Sequence, residues 1–291
     1  MKPPKFEYRA ARTVEEAVSL LQEAGEDAKI LAGGQSLVPM LNFRLTRPSH
    51  LIDINKVSEL DYIREKDGKL AIGALTRERT IERSALVRQK FPLLTEATEW
   101  IGHVQIRNRG TIGGSVAHAD PASEYPALVV LSDAELTIQG PDGSRTTTWD
   151  EFFVTYLTTS LQPFEVLTEL RFPLPKPGSG YAFVELARRH GDFALVGCAA
   201  QVTMNGKGTC QEARLALIGV GPFPHRSPDA EAMLKGQKLT DKLISEAGQK
   251  ISEEVEPEGD MHASTEYRRA MSKVFTERAL KKALSRVQGG K

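Results

Sequence analysis

The sequence predicts an α+β chain in three parts, and three observations carry that expectation. Two glycine pairs followed by small polar residues, Ala32-Gly33-Gly34-Gln35-Ser36 and Thr111-Ile112-Gly113-Gly114-Ser115, lie beside strand-like and helix-like runs. The stretch Pro173-Leu174-Pro175-Lys176-Pro177-Gly178-Ser179-Gly180 holds three prolines and two glycines, which continue neither a helix nor a central strand, so a boundary belongs there. Beyond it, three β-patterned runs precede helical segments. A chain of 291 residues is also too long for one small core.

Thr13-Val14-Glu15-Glu16 is a capping box, and Val14, Ala17, Val18 and Leu21 recur at helical spacing until Gly25, predicting a helix over 14–24. Residues 28–31 and 50–54 read as short buried strands flanking the first glycine pair, giving a small αβ subdomain over 1–57. Residues 69–75 and 134–139 resemble strands, 91–101 suggests a helix leading to the second glycine pair, and 116–131 could form a helix after it, within a subdomain over 58–176. In the last part, 177–291, the strands are 181–189, 194–204 and 209–220, the latter two joined through Asn205-Gly206, a hairpin signal. Ser264 can cap the final helix, whose apolar stripe of Tyr267, Met271, Val274 and Phe275 reads as core.

The formal net charge is zero, with 38 basic and 38 acidic side chains, so nothing steers the protein to nucleic acid or an anionic membrane. Only two cysteines occur, Cys198 and Cys210, which excludes a zinc or iron-sulfur site held by four cysteines of this chain. Both lie in apolar runs and read as buried free thiols. The N-terminal segment lacks the apolar stretch of a secretory signal, and no run of about 18 apolar residues occurs, so a soluble, cytoplasmic chain is expected.

The glycine pairs suit a diphosphate. Glycine lets backbone N–H groups approach an anion without an intervening Cβ, and Ser36, Thr111 and Ser115 can add hydroxyl donors. Neither segment is a Walker loop or a Gly-x-Gly-x-x-Gly fingerprint, so a different nucleotide fold is implied, and ordinary turns stay open as a reading of both.

Longer strings extend the pattern: Lys5-Phe6-Glu7-Tyr8, residues 31–42, His50-Leu51-Ile52-Asp53-Ile54, Ile72-Gly73-Ala74, Gln105-Ile106-Arg107-Asn108-Arg109-Gly110 running into the second glycine pair, and Arg189-His190-Gly191-Asp192-Phe193. In this order they resemble the FAD-binding medium subunit of molybdenum hydroxylases, the group of carbon monoxide, nicotine and xanthine dehydrogenases. The resemblance implies a two-part FAD-binding domain of the vanillyl-alcohol-oxidase/PCMH type, then a C-terminal domain of a three-stranded antiparallel sheet with helices.

It also implies cofactor contacts, residue by residue. Lys29, Ile30, Leu31, Ala32, Gly33, Gly34, Gln35 and Ser36 match the first pyrophosphate loop, and Thr111, Ile112, Gly113, Gly114 and Ser115 the second. Glu124 stands where the family more often has an aspartate on the cofactor's polar linker, although a first-turn helix carboxylate is the plain alternative. Ile101 and Leu161 match flavin contacts, and Phe193 matches a position beside the ring, with no hydroxyl to offer. A lysine that reaches the cofactor in some members near Val184-Glu185-Leu186 is missing here. His103 and His118 read as supporting polar groups, while Arg107 and Arg109 either meet a phosphate or brace the loop.

The implied role is an oxidoreductase subunit with no catalytic or metal-binding residue of its own. FAD takes electrons from two 2Fe-2S clusters of a small subunit, a large molybdenum-pterin subunit oxidises the substrate, and the complex is a dimer of heterotrimers. The substrate leans toward an N-heterocycle. The alternatives are a self-contained FAD-dependent oxidoreductase and a non-catalytic nucleotide-binding module.

Overall fold

Thr13 stands in extended backbone and its Oγ1 accepts the Glu16 N–H at 3.1 Å, while Glu16 reaches back to the Arg12 N–H at 2.7 Å. This cap starts helix α1 (Val14–Ala24), which buries Val14, Ala17, Val18 and Leu21 and stops at Gly25 with φ +84°. In the computed structural model, which describes residues 2–289, α1 packs on a parallel sheet of β1 (Glu7–Ala10), β2 (Lys29–Leu31) and β3 (His50–Asp53) in the order β1-β3-β2. Helix α2 (Leu37–Asn42) links β2 to β3. Strand β1 carries no apolar run. It is set by its parallel register with β3, reinforced by Tyr8 Oη donating to Asp53 at 2.5 Å.

The middle unit opens with the hairpin β4 (Ile63–Lys66) and β5 (Lys69–Gly73), followed by helices α3 (Glu78–Arg83), α4 (Ala85–Lys90), α5 (Pro92–Thr98), α6 (Val104–Arg107), α7 (Ile112–His118) and α8 (Glu124–Ser132). Strands β6 (Glu135–Gly140) and β7 (Gly143–Thr147), the short α9 (Trp149–Phe152), the small hairpin β8 (Phe153–Thr155) and β9 (Thr158–Thr159), and β10 (Val166–Pro173) complete it. The five-stranded antiparallel sheet has the order β4-β5-β10-β6-β7. Two expectations change here. The helix expected over 91–101 is the shorter α5, opened by Pro92 in its first turn. The second glycine pair is no loop before a long helix: it forms the first turn of α7, and Ala119, at φ 52°, breaks the chain before α8.

Strands β11 (Ser179–Leu186), β12 (Val196–Met204) and β13 (Cys210–Ile218) form the expected antiparallel meander. The sheet has four strands rather than three, because the two residues of β14 (His225–Arg226) pair with β13; so short a segment shows no period in sequence. The hairpin forms at 205–209, but as a wider turn than Asn205-Gly206 implies: positive φ falls on Gly208, and Asn205 Oδ1 accepts the Lys207 and Thr209 N–H groups, both at 2.9 Å. Helices α10 (Pro228–Leu234), α11 (Asp241–Glu254) and α12 (Thr265–Gly289) follow. Ser264 caps α12 through the Tyr267 N–H at 3.2 Å, and Phe275 is core, but Tyr267 is 45% exposed and leaves the expected stripe. Cys198 and Cys210 are buried free thiols.

The third sheet is covered on both faces. Phe183, Ala199, Ala216 and Ile218 join the core of the middle unit, while Ala182, Ala200, Leu215 and Leu217 pack with α11 and α12. No helix of the described residues is long and apolar enough to cross a membrane.

Candidate FAD-binding site

Edge strand β2 ends at Leu31, and the chain turns through 32–36 into α2. Gly34 sits at φ +73°, a conformation that glycine adopts without strain, and its carbonyl accepts the Val38 N–H at 3.0 Å. The N–H groups of Gly33, Gly34, Gln35 and Ser36 donate to no protein acceptor among the described residues. Gln35 folds back, its Nε2 donating to Gly33 O at 3.1 Å, and Ser36 is exposed. Lys29 is exposed at the start of β2, whereas Ile30 and Ala32 pack against the core under α1.

The second glycine segment abuts the first. A Cβ on Gly33 would lie 2.5 Å from Arg109 O and 2.8 Å from Gly110 Cα, and one on Gly114 would lie 3.8 Å from Ala32 Cβ. The two segments do not offer the same donors, however. In α7 the Ile112 N–H goes to Thr76 O (3.2 Å), Gly113 to Ala74 O (2.9 Å), Gly114 to Thr111 Oγ1 (3.1 Å) and Ser115 to Thr111 O (3.0 Å). Gly113 is glycine because α7 presses on the chain just after β5: a Cβ would meet Ala74 O at 2.7 Å. Unbonded N–H groups therefore belong to the first segment, and the second contributes shape and the Ser115 hydroxyl.

A polar hub joins them. Asn55 Nδ2 donates to Ala32 O at 2.8 Å, and Arg77 donates to Asn55 Oδ1 at 2.6 Å and to the Arg109 carbonyl. Burial, with the charge of Arg109 second, holds the Arg77 guanidinium below its ordinary value, while the charges of Asp61, Asp53 and Glu78 act on it in the opposite sense. Arg107 is a brace: buried, it pairs with Glu82 at 3.0 Å and donates to Ile101 O and Gly102 O at 2.9 and 3.0 Å. Ile101, half-buried, is fixed by that contact. Leu161, also half-buried, follows β9, which lies against α7.

Buried carboxyls stand close to these cations. Glu124 opens α8 in the first turn, yet burial dominates: desolvation, then the charges of Glu185, Glu78 and Asp120, hold its carboxyl well above the usual range. Glu78 opens α3, 4% exposed, and burial pushes it up to about 7 against the pull of Arg107 and Arg77. Gly110 is glycine because a Cβ there would enter the Glu78 carboxyl. Phe193 stands apart, 74% exposed on a loop docked by the stack of His190 on Trp100 (5.4 Å between centroids) and by Gly191 against His103. Asn55, Arg77, Glu78 and Glu185 were not singled out as site residues from sequence. A charged residue on the parity of Tyr181 and Phe183 is the signal that marks Glu185. The other three become site residues only through tertiary contact.

Residues 4–175 match the family model described as FAD binding domain in molybdopterin dehydrogenase, and residues 181–283 match CO dehydrogenase flavoprotein C-terminal domain. The chain belongs to the FAD-binding medium subunits of the molybdenum hydroxylases. This flavoprotein subunit is 45% identical over 288 residues to the 6-hydroxypseudooxynicotine dehydrogenase complex subunit alpha of Paenarthrobacter nicotinovorans, covering 99% of this chain and 97% of the relative. It is 41% identical to the carbon monoxide dehydrogenase medium chain of Hydrogenophaga pseudoflava, covering 98% and 99% of the two chains. A solved structure of carbon monoxide dehydrogenase from that organism superposes with a TM-score of 0.96 at 42% identity, over 98% of this chain and 99% of the other. The flavoprotein's cofactor is FAD, and the site fits it: the unbonded N–H groups of the first segment suit a diphosphate, and buried carboxyls close by can bond its uncharged polar groups.

Proposed function

We propose that FAD lies across the cleft between the two glycine segments, with its diphosphate on the 33–36 backbone and Ser115 and its uncharged end toward Glu124. One observation carries this reading: Gly33 brings the unbonded N–H groups of the first segment directly against the Arg109–Gly110 backbone leading into the second. Lys29 to Leu31 and Thr111 to Gly113 then act as scaffold, Ile101 and Leu161 as apolar walls, and Phe193 at the rim as a shield for the cofactor. We take 1–57 and 58–176 as the two halves of the FAD-binding domain and 177–291 as the C-terminal flavoprotein domain.

When bound, the isoalloxazine supplies the redox chemistry, and the protein supplies binding, orientation and electrostatics. The chain receives electrons from a partner and passes them to an external acceptor. Two cysteines, both buried, agree with clusters held elsewhere. The reading extends to a cytoplasmic complex with a small subunit carrying two 2Fe-2S clusters and a large molybdenum-pterin subunit, arranged as a dimer of heterotrimers. An N-heterocycle is its substrate class, bound by the large subunit.

The test is anaerobic. The purified FAD-loaded chain is mixed with N-heterocycles, then again with the partner subunits present, and the flavin absorbance is followed. Bleaching only with the partners supports the electron-exit role. Bleaching by substrate alone promotes the self-contained oxidoreductase, and no bleaching in either mixture promotes the nucleotide-binding module.

A further inference from the structure

Alternation along β11 divides its side chains between two neighbours. Ala182, Val184 and Leu186 face the core shared with α12, whereas Tyr181 and Phe183 pack toward the middle unit. Glu185 has the parity of Tyr181 and Phe183, so its carboxyl lies on the side of the sheet toward the middle unit, where Glu124 begins α8. Glu185 is 7% exposed, and neither of its carboxyl oxygens has a hydrogen-bond partner among the described residues. Glu124 is 9% exposed and is met by its own backbone N–H.

The charged groups acting on Glu124 are Glu185 on β11, Glu78 on α3 and Asp120 in the loop before α8, and all are acidic. Opposite Glu185 on β12 stands Gly197, which brings no charge. A buried carboxylate without cation or donor is strongly unfavourable, whereas a protonated one needs only an acceptor. Burial accordingly pushes Glu185 up to about 8. A neutral carboxyl offers one O–H donor and no positive charge for an anion to pair with, so it suits a ligand surface of uncharged oxygens and nitrogens.

We propose that Glu185 retains its proton at neutral pH and donates a hydrogen bond to the uncharged ribityl and ring portion of bound FAD. The inference rests on the reading that FAD spans the cleft. It fixes the cofactor's direction: anionic part at the 33–36 backbone, uncharged part at the carboxyl pair.

The test titrates FAD into the full-length chain by flavin fluorescence across a pH series, with infrared spectra of the same samples. A donor titrating near 8 predicts that affinity falls about tenfold from about pH 7 to about pH 9. Glu185→Gln, which keeps a neutral donor, flattens that fall and removes a carboxylic-acid C=O stretch from the neutral-pH spectrum. Glu185→Ala removes the donor, lowering affinity at pH 7 by about tenfold and leaving no further fall by pH 9, a readout that stands even if Glu185→Gln does not fold. FAD binding with the same pH slope in the wild type and Glu185→Gln, or no slope and no acid band in the wild type, overturns the proposal while leaving the FAD site intact. Failure of the wild type to bind FAD at all overturns both.

Discussion

Arg77 donates to the Asn55 side-chain oxygen at 2.6 Å, and this one bond ties the two glycine segments into a single cleft. Asn55 holds the carbonyl of Ala32 in the first segment, and Arg77 holds that of Arg109 just before the second. Neither residue belongs to a glycine motif, yet together they set the gap between the two.

Arg77→Ala therefore widens the cleft. Each hydrogen bond to a charged group contributes about 1.5 to 3 kcal/mol, so losing two weakens FAD binding by tenfold or more. Arg77→Lys recovers little, because an ammonium lacks the planar fork that reaches two acceptors. Fluorescence titration checks this, and wild-type affinity in Arg77→Ala would detach the hub from the site.

Gly33→Ala drives a methyl group to 2.5 Å from Arg109 O, so the two segments must part. A marked loss of FAD binding and a lower melting temperature are expected. Gly206→Ala, where a Cβ meets open space, serves as the control and changes stability by about 0.5 kcal/mol or less. Equal behaviour of the two variants would return Gly33 to the status of an ordinary turn residue.

Ser115→Ala removes a hydroxyl without disturbing α7, whose cap is Thr111. It is expected to reduce FAD affinity by about 10 to 100-fold if the hydroxyl meets the diphosphate. Thr111→Ala instead removes the cap and costs about 1 kcal/mol of stability. A melting-temperature series beside the binding series separates the two effects.

Glu78 gives a pH signature. Its carboxyl is pushed up from the ordinary value of 4.5 to about 7 in the folded chain, so between those values the folded state holds the extra proton. Stability from this group is present below about pH 4.5, falls as pH rises, and is lost above about pH 7, by about 3 kcal/mol at most. Glu78→Gln should flatten that part of the stability profile in denaturant melts. An unchanged slope would mean that water reaches the carboxyl.

The sequence made some of this legible and hid the rest for physical reasons. The Thr13 cap and the apolar spacing of α1 are local signals, and they give the helix its bounds. The glycine pairs mark the cleft, since only glycine admits Arg109 O beside Gly33 or Ala74 O beside Gly113. That Gly113 and Gly114 lie within a helix was hidden, because glycine disfavours helices and the reason Gly113 stands there is close packing against Ala74. Asn55 lies in the turn after β3, and Arg77 and Glu78 start α3, so no spacing announces the three together.

The third sheet has no wet face, and this governs how the chain can be divided. Removing the segment after Pro173 would bare the side of the middle core that Phe183, Ala199, Ala216 and Ile218 cover, and the detached piece would show the same side chains to water. The two pieces are thus poor candidates for separate expression and prone to aggregate. The joint at the proline-rich linker is a seam in the sequence but not a hinge in the molecule, and the whole subunit should melt in one transition.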